Sequence, residues 1–142
     1  MIYYYIDNSK DNFFSTIGIS NKNKQIICEL KIKVNASFVT TTGQERFRSM
    51  PKQYYQKSDA IILCFDMNDK LSFEFINNLA IDLVNYNTNI PFAFFAKKGC
   101  DEDQDIIIND LGKLPGKIFY YNNENKTGID AGIGYLANKF IK

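Results

Sequence analysis

Short apolar runs alternate along this chain with amphipathic stretches, and the two patterns predict different elements. Residues 60–65 form a continuous apolar run, which is typical of a strand buried on both faces of a sheet. Residues 90–96 and 117–121 predict two further strands. Between the first two strands, residues 71–86 carry apolar side chains at steps of three and four, which predicts an amphipathic helix.

The two ends of the chain add a hairpin and a second helix. Residues 25–30 and 33–39 are two β-rich runs with a short connection, so we expect an antiparallel hairpin, its first strand beginning near Lys24. Near the other end, an apolar stripe at helical spacing predicts a final helix: Ile129, Ile133, Leu136 and Phe140. Gly132 and Gly134 weaken this helix, because glycine disfavours helix interiors. Alternating strands and helices indicate an α/β fold with a mostly parallel sheet flanked by helices.

Composition narrows the function classes. At 142 residues with 45% apolar residues, the chain is long enough for one domain with its own core, which we take as residues 1–142. A formal net charge of +1 gives no electrostatic reason to expect nucleic acid or an anionic membrane as a partner. Three scattered cysteines and no histidine make a zinc site unfavourable. The apolar start, residues 1–6, is too short for a signal peptide core or a membrane span.

The segment from Thr40 to Met50 carries the most specific chemistry. The segment follows an apolar run, residues 36–39, and at Gly43 the absence of a side chain lets the backbone approach a ligand closely. Gln44 follows directly, and a glutamine in such a place can orient a water molecule. This arrangement is typical of a loop that senses a phosphate group.

The same segment resembles the second switch of the Rab branch of small GTPases, whose pattern is Trp-Asp-Thr-Ala-Gly-Gln-Glu-Arg-Phe. Residues 43–48 match the Rab form as they stand. In register with them, residues 15–19 resemble the first switch, and 66–73 resemble the segment that opens the third helix. Residues 126–128 resemble the end of a base-recognition loop. The resemblance extends over nearly the whole chain.

This resemblance implies a Ras-like G domain that binds GTP or GDP with Mg²⁺ and acts as a GTP-dependent switch in vesicle trafficking. By position, Gln44 corresponds to the water-positioning catalytic glutamine, and Thr16 to the threonine that reaches Mg²⁺ and the γ-phosphate. The other nucleotide contacts that it implies are Gly43, Lys98, Asp101 and Lys126. The implied partners are protein effectors or regulators, bound on a surface formed by Ile17, Gly18, Phe47, Tyr54 and Tyr55. The implied location is cytoplasmic, peripheral to endomembranes through partners.

Several positions depart from the family pattern. The motif Gly-x-x-x-x-Gly-Lys-Ser/Thr, the phosphate-binding P-loop, does not occur in the sequence. Counting back from Thr16, Met1 corresponds to a point inside the first helix, so we expect the first strand and the P-loop to be missing from this chain. Thr40 stands where the family has the aspartate of the magnesium shell. The last residues contain no cysteine, so we also expect no prenyl anchor.

The segment that corresponds to the guanine-reading motif also departs from the family pattern. The family reads guanine with Asn-Lys-x-Asp, but here Lys97 replaces the asparagine and one extra residue separates Lys98 from Asp101. Two hypotheses remain open from the sequence. One is a Rab-like GTPase whose N-terminal part is missing from this chain and whose nucleotide binding and hydrolysis are impaired. The alternative is a pseudo-GTPase, a nucleotide-independent interaction module that keeps part of the switch surface.

Overall fold

The computed structural model of the chain describes residues 19–27, 31–41, 57–85, 89–98, 111–121 and 128–141. These residues form five strands and two helices. In chain order they are β1 (Ile19–Ile27), β2 (Lys33–Thr41), β3 (Ile61–Asp66), α1 (Lys70–Asn85), β4 (Phe92–Lys97), β5 (Lys117–Tyr121) and α2 (Ile129–Asn138). The predicted α/β class is confirmed.

Strands β3, β4 and β5 form a parallel sheet with β4 in the centre. The central strand is buried on both faces over Phe92–Ala96, as its continuous apolar sequence predicts. Alternate side chains of the sheet enter two separate apolar clusters, one on each face. The α1-side core contains Leu63, Phe94 and Leu83, and the α2-side core contains Phe95, Ile133 and Leu136. The two helices therefore cover opposite faces of the sheet.

Helix α1 begins where a polar cap supplies hydrogen-bond acceptors. Asp69 Oδ1 accepts the backbone N–H groups of Leu71 at 3.0 Å and Ser72 at 3.3 Å, and it satisfies two amides that have no partner within the helix. The helix then buries Phe73, Ile76, Ala80 and Leu83 against the sheet. Val84, which the periodicity also predicts on this face, is instead 40% exposed, because it lies beside the buried stripe.

Helix α2 approaches the sheet closely at a glycine. A Cβ on Gly132 would overlap the ring of Phe95, whereas a Cβ on Gly134 would meet no atom within 4 Å. Gly132 is therefore a packing requirement and not only a weak point of the helix, which corrects the sequence interpretation. Phe140 is a second correction. It follows the end of α2 and is 48% exposed, so it does not continue the buried stripe.

The hairpin of β1 and β2 is antiparallel, as predicted, with a register from Ile19↔Thr41 to Ile27↔Lys33. Its first strand begins at Ile19 and not near Lys24. The polar residues 20–24 hid this part of the strand from an apolar pattern, but backbone pairing with β2 does not require apolar side chains. Within the described residues, β2 and β3 are not hydrogen-bonded neighbours, and the hairpin is a sheet of its own. Ile26 and Phe38 pack against the α2-side core.

Candidate functional site

The carboxyl ends of β3, β4 and β5 form the candidate site. Open α/β sheets bind ligands outside the carboxyl ends of their strands. Three residues occupy one row there, since Asp66 is the register partner of Lys97, and Lys97 is the register partner of Tyr121. By strand alternation, all three lie on the face that α2 covers.

Lys97 and Asp66 form an ion pair across the row. Lys97 Nζ donates to Asp66 Oδ2 at 3.0 Å. The two side chains are 38% and 32% exposed, so solvent screening limits the contribution of the pair to about 1 kcal/mol or less. The other carboxylate oxygen of Asp66 accepts the backbone N–H of Asn68 at 2.9 Å. Asp66 therefore binds a cation from the next strand and orders the turn that follows its own strand.

Backbone hydrogen bonds continue beyond the ends of these strands. The N–H of Met67 donates to the carbonyl oxygen of Lys97 at 3.1 Å, and the N–H of Lys98 donates to that of Tyr121 at 3.0 Å. The three strands are thus held together one residue past β3 and β4. The ion pair lies directly beside the first of these bonds.

Ser72 connects this end of the sheet to helix α1. Its Oγ accepts the backbone N–H of Asp66 at 3.1 Å, and its hydroxyl lies 2.8 Å from the carbonyl oxygen of Asp69, to which it can donate. Asp69 is also the cap of α1. The position of Asp66 is therefore set from both sides, by its own strand and by the start of the next helix.

Lys98 has a different environment from Lys97. It is exposed, and its Nζ lies 5.8 Å from the centre of the Tyr120 ring, within the range of a cation–π contact. In this structure the last residue of β4 and the residue after it are both engaged by protein groups, Lys97 by a carboxylate and Lys98 by an aromatic face. Each ammonium group therefore has a partner within the protein.

Tyr121 is buried and Cys64 is half-buried on the side of the site that faces the α2-side core. Burial raises the pKa of the Tyr121 hydroxyl well above its ordinary value, and the negative charges of ionised Cys64 and Asp66 raise it further. Burial also raises the pKa of the Cys64 thiol from 9.0 to about 11. Both groups are therefore neutral at physiological pH, and neither supplies a nucleophile there.

Most of the residues that the sequence assigns to the site lie outside the described residues. Thr40 lies in β2, and Lys98 directly follows β4. The structure describes no position for the others, which are Thr16, Ile17, Gly18, Gly43, Gln44, Phe47, Tyr54, Tyr55, Asp101 and Lys126. Their assigned roles stay predictions.

Sequence analysis missed the role of Asp66 as the partner of Lys97. A signal was present, because an acidic and a basic residue end two apolar runs that are neighbouring parallel strands. Over the described ranges, no cluster of three or more acidic, cysteine or histidine side chains could hold a metal ion. Neither described helix has the length and apolar character needed to cross a bilayer.

Comparison with known proteins gives a consistent family. The Ras family model matches residues 1–117. The chain is 26% identical over 129 residues to the human Ras-related protein Rab-37, covering 88% of this chain and 57% of that protein. It is 41% identical over 134 residues to bovine Ras-related protein Rab-26, covering 88% and 50%. With the GTP-binding protein YPT1 of Saccharomyces cerevisiae it shares 30% identity over 108 residues, covering 75% and 52%.

The chain spans about half the length of the curated relatives it matches. The family model nevertheless covers most of the chain, and it includes the hairpin, β3, α1 and β4 in one continuous match. The parallel sheet flanked by helices agrees with a Ras-like G domain. The chain therefore belongs to the Ras family, as a Rab-like small GTPase.

Proposed function

We propose that this chain acts in vesicle trafficking as a Rab-like switch protein, through protein partners bound on its switch surface, with guanine-nucleotide binding and hydrolysis impaired. The family supports the first part, since the relatives that it matches are Rab proteins and a GTP-binding protein. One structural observation supports the second part. Lys97, at the position of the base-reading asparagine, is paired with Asp66 at 3.0 Å.

The chemistry of the two side chains explains why this pairing weakens base recognition. An asparagine amide both donates and accepts hydrogen bonds, whereas an ammonium group only donates. Lys97 therefore cannot replace the acceptor of an amide, and its donors are directed to Asp66. The sequence adds two further departures, the threonine at position 40 and the extra residue between Lys98 and Asp101. Each lost charge-assisted contact costs roughly 1.5–3 kcal/mol, and each 1.4 kcal/mol or so lowers affinity about tenfold.

The trafficking part of the proposal is tested by localisation in a eukaryotic cell. We expect the tagged full chain to concentrate on an endomembrane compartment, and Phe47→Ala to disperse it by removing an aromatic contact for partners. Leu71→Ala is the control, because Leu71 is the most exposed large apolar residue described, at 76%, and it belongs to α1 and to neither of the two switch segments of the sequence. Localisation that is diffuse for the wild type, or unchanged by Phe47→Ala, would contradict the proposal.

A second candidate function is the nucleotide-independent interaction module. The observation in its favour is that Lys97 and Lys98 both have partners within the protein without any ligand. The variant Asp101→Ala separates the candidates in the same assay, since Asp101 is the remaining carboxylate of the base motif. Dispersal of this variant supports the switch. Retained localisation, together with dispersal of Phe47→Ala, supports the module.

A further inference from the structure

The Asp66–Lys97 pair has a consequence for folding that goes beyond nucleotide affinity. We propose that this pair holds the carboxyl ends of β3 and β4 together in the absence of nucleotide. The inference rests on the proposed function in one respect: if nucleotide binding is weak, the bound nucleotide does not hold these strand ends together. The observations behind it are the positions and contacts of Asp66, Lys97 and their neighbours.

The pair lies at the carboxyl ends of two neighbouring strands of the sheet. Asp66 and Lys97 are the last residues of their strands and exact register partners. Strand ends fray, because the final amides and carbonyls lose their neighbours on one side. An ion pair between two terminal partners opposes this separation at the point where the ladder is weakest.

Asp66 is held in place by contacts other than its pair with Lys97. Its Oδ1 accepts the amide of Asn68, and its own amide donates to Ser72 Oγ at the start of α1. The carboxylate is thus fixed by the following turn and helix before it meets Lys97. A fixed acceptor lowers the conformational entropy lost when the lysine side chain binds.

Two backbone hydrogen bonds beside the pair indicate whether the ends of β3 and β4 are together or apart. The amide of Met67 donates to the carbonyl of Lys97, and the amide of Lys98 donates to that of Tyr121. Both bonds lie past the ends of β3 and β4 and break when those ends separate. Their hydrogen-exchange rates therefore measure the opening that the pair opposes.

The experiment is amide hydrogen exchange of the full chain, measured by NMR without nucleotide. We expect Lys97→Met and Asp66→Asn each to speed exchange at Met67 and Lys98 about two- to fivefold, the range for a partly exposed ion pair. Asp66→Asn keeps an oxygen that can accept from Asn68, so it removes the charge and not the turn. The matched control is Lys70→Met, which breaks the exposed Lys70–Glu74 pair on α1 and should leave both amides unchanged.

A charge-reversed variant, Asp66→Lys with Lys97→Asp, should recover part of the lost protection. If the single variants do not fold, wild-type exchange in about 1 M salt is the second measurement, because charges a few ångströms apart are then strongly screened. Exchange at Met67 and Lys98 should rise there relative to low salt. Wild-type rates in both single variants, or no salt effect, would overturn the inference.

Hydrogen exchange measured with GDP and Mg²⁺ tests the proposed weakening of nucleotide binding separately from the role of the ion pair. GDP with Mg²⁺ at about 1 mM should leave wild-type exchange at Met67 and Lys98 unchanged. Protection of about a thousandfold or more by GDP, as submicromolar binding would give at this concentration, would contradict weakened nucleotide binding. The comparison of the variants without nucleotide would still decide whether the pair holds the strand ends.

Discussion

At position 97 a cation replaces the neutral amide that the family pattern contains. Lys97 has an acceptor at the end of the neighbouring strand, where Asp66 lies in register. Asp66 belongs to the segment that resembles the family, so the departure from the family pattern in this pair is at position 97. We interpret position 97 as a place where contact within the sheet has replaced contact with a ligand.

Cys64 gives a residue-scale prediction that depends on burial. Its thiol pKa of about 11 lies two units above the ordinary 9.0, so the thiolate fraction near pH 8 is about a hundredfold smaller than in the unfolded chain. In a Cys28→Ser/Cys100→Ser background, a thiol-specific reagent should modify native Cys64 at least about a hundredfold more slowly than in denaturant. Equal rates in both conditions would show that the thiol is not buried.

The same group makes stability depend on alkaline pH. The unfolded chain loses the Cys64 proton near pH 9.0, whereas the folded chain keeps it until about pH 11, so the unfolded state binds fewer protons between these values. Stability should therefore fall as pH rises from 9 to 11, by at most about 3 kcal/mol from this thiol. Urea unfolding of Cys64→Ala across this range should show a shallower fall than the wild type. An identical slope would contradict the assignment, because only Tyr121 and the remaining groups would then contribute.

At the scale of elements, the strands that the sequence predicted correctly are those whose buried side chains make them apolar. β3 and β4 are continuous apolar runs up to their charged last residues and enter the core, whereas the first half of β1 is polar and was missed. Helix α1 was predicted from its apolar period, and in the structure Asp69 caps its start. The Asp66–Lys97 pair was missed because the charges that end the two apolar runs meet only if the strands are neighbours in this register, and a sequence pattern does not give the register.

Two glycines of α2 should respond in opposite ways to the same substitution. Gly132→Ala places a methyl group against the Phe95 ring, so it should lower the free energy of unfolding by about 1–3 kcal/mol through overpacking. Gly134→Ala meets open space and should raise it by about 0.5–1 kcal/mol, since alanine is the better helix former. Urea denaturation of both variants provides the comparison. Two effects of the same sign would contradict the close approach of α2 to β4 at Gly132.

At the scale of the whole molecule, the described residues show the hairpin and the parallel sheet joined by packing and not by strand pairing. Within the described residues β3 pairs only with β4, and β2 pairs only with β1. Strand edges without partners carry free amides and carbonyls that favour association with other chains. We therefore expect the 142-residue chain to be marginally stable or prone to aggregation. Calorimetric scanning with light scattering tests this, and a sharp, reversible transition of the monomer well above physiological temperature would contradict it.

Titration calorimetry of the purified chain with GTP or GDP and Mg²⁺ tests the central claim most directly. We predict no submicromolar binding and no measurable hydrolysis, because Thr40 replaces an aspartate, one extra residue interrupts the base motif, and Lys97 is paired with Asp66. The variant Asp101→Ala is the control for a specific site. Submicromolar binding by the wild type that disappears in Asp101→Ala would show an intact guanine-nucleotide site and would contradict the account.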